Sequence, residues 1–157
     1  MSVTIEIRSV SAAEFAEYAV DDHTYNNMRK QYYFRASSRG LLAWDVDRLL
    51  LLTRELPIHP VPLGEIRELD EAVFGGDEPP TWRSFAAHVH LVEAADLAFP
   101  IIRAADGAVM DGMHRVVKAL VEGRDTIDAV QFLADPPPDF VGRQPDELSY
   151  DRPPKER

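Results

Sequence analysis

The chain of 157 residues contains no cysteine. That excludes a disulfide framework, a thiolate nucleophile and a zinc–thiolate centre. No apolar run approaches the roughly 20 residues that a transmembrane helix needs. The first residues, with Glu6 and Arg8 among short apolar side chains, show no secretory hydrophobic region. A cytoplasmic location is the expectation. Basic residues are scarce too: 17 Lys and Arg stand against 27 Asp and Glu, a formal net charge of −10. Broad nucleic-acid binding needs cations to neutralise phosphates, and neither a Lys/Arg cluster nor a helix-turn-helix pattern is visible, so DNA is not an expected partner. The HExxH zinc pattern is missing as well. What remains is an ordinary soluble composition, 45% hydrophobic and 28% charged, long enough for one compact domain with a real core.

Residues 3–8 alternate as a short strand. Ser11 is placed to cap a helix to about Val20, with Glu14 completing a capping box and Phe15, Tyr18 and Ala19 facing inward. From Asp21 to Gly40, Tyr25, Tyr32, Tyr33 and Phe34 are mixed with Arg29, Lys30, Arg35 and Arg39. Such a mixture can stack bases. A helix with its rings on a core and its charges in water is the plainer expectation. Leu41–Leu56 reads as a second helical block, with Asp45 or Asp47 as cap and Pro57 as its end. Ile58–Ile66 begins a strand, and Pro60 and Pro62 put it at a sheet edge.

Glu65, Glu68, Asp70 and Glu71 follow closely. Such a run is usually a solvated surface; facing a phosphate it can supply a general base or a magnesium ligand. Gly75, Gly76, Pro79 and Pro80 mark a loop. Thr81 caps the next helix, in which Trp82, Phe85, Val89 and Val92 form an apolar stripe. His88 and His90, two apart, point to different faces and read as structural or surface residues. Phe99–Ile102 is a strand, Asp106-Gly107 a hairpin turn, and Ala108–Met110 pairs back. Thr126–Phe132 reads as the last strand. From Asp135 the composition shifts, with six of the twelve prolines between Pro136 and Pro154. An extended tail is expected there, ordered where Phe140, Val141 and Tyr150 find a groove, or else a partner-binding arm.

The most informative stretch runs from Ala108 to Gly123, the end of a strand, a tight turn and a helix. Met113, Val116, Val117, Leu120 and Val121 recur at helical spacing, so that face is expected to be buried. Gly123 stops the helix, Asp111 can cap its first turn, and Gly112 permits a close backbone approach. His114 and Arg115 fall in the first turn, off the stripe. Cations are unwelcome beside the partial positive charge of a helix N-terminus, whereas a phosphate gains from the N–H groups and both side chains. The stretch reads as a phosphate cradle.

The order strand, acidic loop, helix, Pro-Ile-Ile hairpin, Asp-Gly-x-His-Arg helix and strand resembles the ParB/sulfiredoxin superfamily, which includes partition-protein N-terminal domains, sulfiredoxins and free-serine kinases. The resemblance covers about Val61 to Phe132 and is most specific at Met110–Arg115. It implies an α+β fold, a ParB/sulfiredoxin-like mixed sheet with packed helices over 61–134; the residues outside it read as a mostly helical extension over 1–60 and a proline-rich tail over 135–157, together one compact domain. It further implies that Gly112, His114 and Arg115 hold nucleotide phosphates. Sulfiredoxins carry a cysteine before the His-Arg pair; Met113 stands there, which excludes sulfinic-acid reduction by that route. Partition proteins carry a Gly-Glu-Arg-Arg type box and a DNA-reading domain downstream; here the box is Gly-Met-His-Arg and a proline-rich tail follows. Free-serine kinases are closest at the turn, with Asp-Gly-His-His-Arg and a carboxylate base after the first strand, which Asp70 and Glu71 match in spacing.

Three readings stay open. In the first, phosphoryl transfer or nucleotide hydrolysis uses His114, Arg115 and Lys118 on phosphate charge, Asp111 on Mg2+ or the turn, and Glu71 or Asp70 as base. The second keeps Asp111, Gly112, Met113, His114, Arg115 and Lys118 around a nucleotide or small phosphorylated ligand without chemistry. Ligand binding then sets a protein contact through the N-terminal extension or the tail. In the third, Asp111 caps the helix, Arg115 makes a salt bridge and nothing binds.

Overall fold

Successive side chains of a strand point to opposite faces of its sheet, so a strand buried at every position needs cover on both sides. Ile101, Ile102 and Arg103 meet that condition, as do Val109, Met110 and Asp111. The computed structural model describes residues 30–71 and 81–151. The strand expected at 3–8, the helix at 11–20 and the loop from Gly75 to Pro80 lie outside the described residues. The central sheet contains β3 (His59–Pro62), β4 (Ile101–Arg103), β5 (Val109–Asp111) and β6 (Thr126–Gln131) in the order β3-β6-β4-β5. β6 runs parallel to β4, and the β3–β6 and β4–β5 pairs are antiparallel, so the sheet is mixed. Pro60 and Pro62 stand in edge strand β3, where a missing N–H costs no ladder bond. Asp106 accepts from the Ala108 N–H at 2.9 Å and Gly107 takes φ +91°, closing the expected β4–β5 hairpin.

One face of this sheet, with Ile101, Val109, Ile127 and Ala129, is covered by α3 (Met113–Val121) through Val116 and Ala119. Helix α2 (Trp82–Ala94) packs against α3 rather than directly on the strands. The other face presents Ile102, Met110, Val130 and Phe132 to Trp44, Val46 and Leu49. Those three residues belong to a second sheet, β1 (Tyr32–Ser37), β2 (Gly40–Asp45) and β7 (Phe140–Val141) in the order β1-β2-β7, and to helix α1 (Val46–Leu52). The described chain is thus α+β, with helices on one face and a hairpin and short helix on the other. None of its helices is long and apolar enough to cross a membrane, among the described residues.

Several expectations are corrected. Residues 32–37 are a strand, not part of a helix. Tyr32 and Phe34 alternate inward, as the pleat allows and a helical period does not. Leu41–Asp45 is likewise strand, and the helix begins only at Val46, where Asp45 caps it by accepting from the Asp47 N–H at 2.9 Å. It ends at Leu52, before Pro57. The extension is therefore not mostly helical over its described part. Thr81 caps α2 as expected, and the structure adds a capping box with Ser84; yet the stripe Trp82, Phe85 and Val89 is exposed, Trp82 at 87%, and Leu91 is the buried residue. Thr126–Gln131 is not the last strand, because β7 follows and pairs with β2. The tail does find a groove. Phe140 and Tyr150 set their rings edge-on to Tyr32, and the Trp44 indole N–H donates to the Pro136 carbonyl at 2.8 Å.

Candidate functional site

The turn from β5 into α3 is built on one buried ion pair. Arg115 Nη2 donates to Asp111 Oδ2 at 2.9 Å, and the two side chains are 0% and 3% exposed. An (i, i+4) pair can form here only if Arg115 points back under the strand end, so the helix rotates away from the expected phase. Val116 and the small Ala119 then meet the sheet, whereas Leu120 and Val121, expected inside, are exposed. Arg115 itself, expected off the buried stripe, lies in its centre. Asp111 is not the helix cap either. Gly112 occupies that position in the left-handed region, φ +104°, with no side-chain cap bond. A Cβ at Gly112 would stand 2.7 Å from Ile101 Cγ2 and 3.0 Å from Arg115 Nη2. The glycine is needed because the backbone passes closely over Ile101 and the guanidinium.

Met113 is half-buried and packs on the Val109–Val116 cluster. His114, also half-buried, turns toward α2, where its Nε2 lies 3.2 Å from Nδ1 of His88. The rings are 5.4 Å apart between centroids and tilted by 32°. Burial first, and then the neighbouring His114, hold the His88 imidazole below its usual value. Lys118 donates to the carbonyls of Glu93 and Ala95 at 3.0 and 2.6 Å. Its ammonium thereby serves the C-terminal end of α2, where cations are favoured. An open recess lined by Leu97, Lys118, Glu122 and Arg124 also lies at that end of α3, away from Gly112.

The acidic run folds into two 3-10 turns, Leu63–Glu65 and Arg67–Asp70. Asp70 and Glu71 are exposed at their end. Glu68 is the member that turns in, its Oε1 accepting from the Val109 N–H on edge strand β5 at 2.9 Å. The structure therefore brings together Asp111, Gly112, Met113, His114 and Arg115, and directs Lys118 to α2. In this neighbourhood His88 is not picked out from sequence as a site residue, and Glu68 stands there only as one member of the acidic run. The spacing of His88 to His90 carries no signal, since the contact that matters joins residues 26 apart on two helices.

No protein-family model, no curated protein and no solved structure matches the chain.

Asp111 does not fit the role of a magnesium ligand. Its carboxylate is buried against a guanidinium, which already supplies the positive charge that a hard cation would bring.

Proposed function

We propose that the chain carries a ParB/sulfiredoxin-like core that binds a phosphate-bearing ligand, in the first instance a nucleotide, at the N-terminus of α3. The observation that carries this reading is the β5–Gly112–α3 junction. A left-handed glycine feeds a buried strand into a nine-residue helix whose N-cap residue makes no side-chain cap bond. The first N–H groups of a helix lack intrahelical acceptors and carry partial positive charge, which suits phosphate oxygens. The half-buried His114 imidazole stands in the same turn. Arg115, neutralised by Asp111, supports the turn from below, so the contacts to the ligand come first from the main chain and His114. The finer fold rests on the sheet order β3-β6-β4-β5 and on the order of acidic turns, helix, hairpin, helix and strand around it.

Phosphoryl transfer is a second reading, favoured by one observation. Glu68 ties the acidic turns to β5, so the segment that ends in Asp70 and Glu71 follows directly from an anchor on the site's own strand.

A thermal-shift series with ATP, GTP, CTP and pyrophosphate, in the presence and absence of Mg2+, tests the proposal. A ligand at 100 times its Kd should stabilise the protein by about 2.7 kcal/mol. His114→Ala should reduce that shift without unfolding the protein. Glu71→Gln should abolish turnover under the transfer reading and leave the shift intact under either. A wild-type protein whose melting no nucleotide and no pyrophosphate moves would rule the site out.

A further inference from the structure

Helix α2 buries little of itself. Of its 13 residues only Leu91 is fully buried, and the helix meets α3 along one edge, through His88 and the carbonyls of Glu93 and Ala95. A helix draws most of its stability from burying an apolar face, yet the apolar row of α2 points to solvent. Trp82, Phe85 and Val89 are 87%, 50% and 40% exposed. The Trp82 and Phe85 rings stand edge to face, 6.2 Å between centroids, and make one ridge. With the half-buried Val92 the row has the alternating three- and four-residue spacing of a coiled-coil seam, narrower than the stripe that covers a sheet. Another helix fills such a seam. We propose that the occupant is α2 of a second copy, and that the chain forms a weak two-fold dimer with its α2 helices antiparallel along Trp82, Phe85, Val89 and Val92.

Three observations point to a second copy. The seam is self-complementary. A two-fold interface uses the same patch from both sides. Reversing one helix sets Trp82 opposite Val92 of the partner subunit and Phe85 opposite Val89 of the partner subunit, large against small. The charges agree with that direction. The charged residues of α2 are Arg83 near its start and Glu93 near its end, so the antiparallel arrangement brings the basic end of each helix to the acidic end of the other. A helix of balanced charge also lets a chain of net charge −10 meet itself with little repulsion. The area sets the strength. The two rings and Val89 expose on the order of 400 Å2 of apolar surface, about half of the roughly 800 Å2 that each partner gives to a standard interface. Such a patch holds a concentration-dependent dimer rather than a permanent one. The dimer goes beyond the phosphate reading and does not depend on it.

Sedimentation equilibrium of the full-length protein, without nucleotide, from about 1 μM to about 1 mM, tests the proposal. The average mass should rise with concentration from that of one chain toward that of two. Trp82→Ser should weaken association at least about tenfold, as loss of a central interface tryptophan does, while the circular dichroism spectrum stays that of wild type. Leu133→Ser, at a fully exposed position outside α2, should change nothing. Phe85→Val should weaken association, and adding Val89→Phe to it should restore the dimer, because the antiparallel register keeps the same large-against-small pair. A single-chain mass over the whole range would overturn the proposal and leave the seam to residues 1–29 or to a foreign helix. Association of wild-type strength in Trp82→Ser would overturn it in favour of another face. A double variant no stronger than Phe85→Val would overturn the antiparallel register.

Discussion

Arg115 is the residue on which the candidate site is built, and its chemistry differs from that of an exposed anion-binding arginine. A charge that is fully buried must be paired, because its desolvation costs several kcal/mol. Asp111 pairs it at 2.9 Å, one helical turn back and at the end of the adjoining strand. The pair welds β5 to α3 across the very turn that is proposed to meet phosphate. Arg115→Ala would leave the Asp111 carboxylate buried without its cation, and should cost about 3–5 kcal/mol of stability. Urea denaturation measures this directly, and a loss below 1 kcal/mol would mean that Asp111 reaches solvent. Loss of ligand binding in that variant is accordingly poor evidence for a phosphate contact. His114→Ala is the cleaner probe, since it leaves the Asp111–Arg115 pair in place. None of this was visible in the residues Asp111-Gly112-Met113-His114-Arg115 alone. The motif is legible as a strand–turn–helix junction with polar side chains, but whether Arg115 faces outward or inward depends on the partner it finds in the fold.

At the scale of elements, the strands and helices with local signals were legible. The Asp106-Gly107 hairpin, the Thr81 cap, the proline-marked edge strand and the strand ending at Asp111 all follow from turn, cap and alternation chemistry within a few residues. Phase and partnership were not. The stripe Trp82, Phe85 and Val89 has helical spacing, yet α2 leans on α3 by way of His88 and the lysine bridge, leaving the stripe exposed. In α3 the ion pair outweighs the Leu120 and Val121 pattern. The aromatic segment at Tyr32–Phe34 becomes a strand because Gly40 turns the chain back on Leu41–Asp45 and a tail more than 90 residues later completes the sheet. A local window sees none of that pairing. The junction of the two helices gives a prediction of its own. Lys118→Met removes charged hydrogen bonds to Glu93 and Ala95, and should cost about 1.5 kcal/mol, the low end for charged bonds because the site is partly wet. Hydrogen exchange should become faster at the amides of Leu91 to Ala95, while affinity for a phosphate ligand stays within a few-fold. Unchanged exchange there would show that the Lys118 bridge does not hold α2 in place.

Over the whole molecule, the two halves of the fold are closed by residues that the composition marks as a tail. Arg35 pairs with Asp135 at 2.8 Å, Arg48 with Asp139 at 2.8 Å, and Tyr32 donates to the Ser149 carbonyl at 2.6 Å. The Trp44 indole, 2% exposed, has its N–H satisfied by Pro136. Leu148 joins Tyr32, Phe34 and Ala43 in a small core of its own. Prolines fit this path because they need no N–H partner where the chain runs as an extended strap, and they lower the entropy lost on ordering it. The segment from Asp135 to Tyr150 is therefore a structural belt across β1, β2 and α1, and the hairpin it covers is the cover of the central sheet. A chain ending at Ala134 should lose Leu148 and the packing of Phe140 and Tyr150, each full burial being about 1.5–3 kcal/mol. Against a total stability of about 5–15 kcal/mol, that loss should shift the urea midpoint strongly and lower the slope, because the β1–β2 hairpin frays ahead of the central sheet. Tyr150→Ala, which removes one ring and its hydrogen bond to the Pro145 carbonyl, should lower the midpoint with the slope unchanged. If the shortened chain instead keeps both midpoint and slope, the belt contributes nothing to the fold. The tail would then be the partner-binding arm that its composition also allows, and the hairpin and α1 would have to stand on the cluster of Leu42, Trp44, Val46 and Leu49.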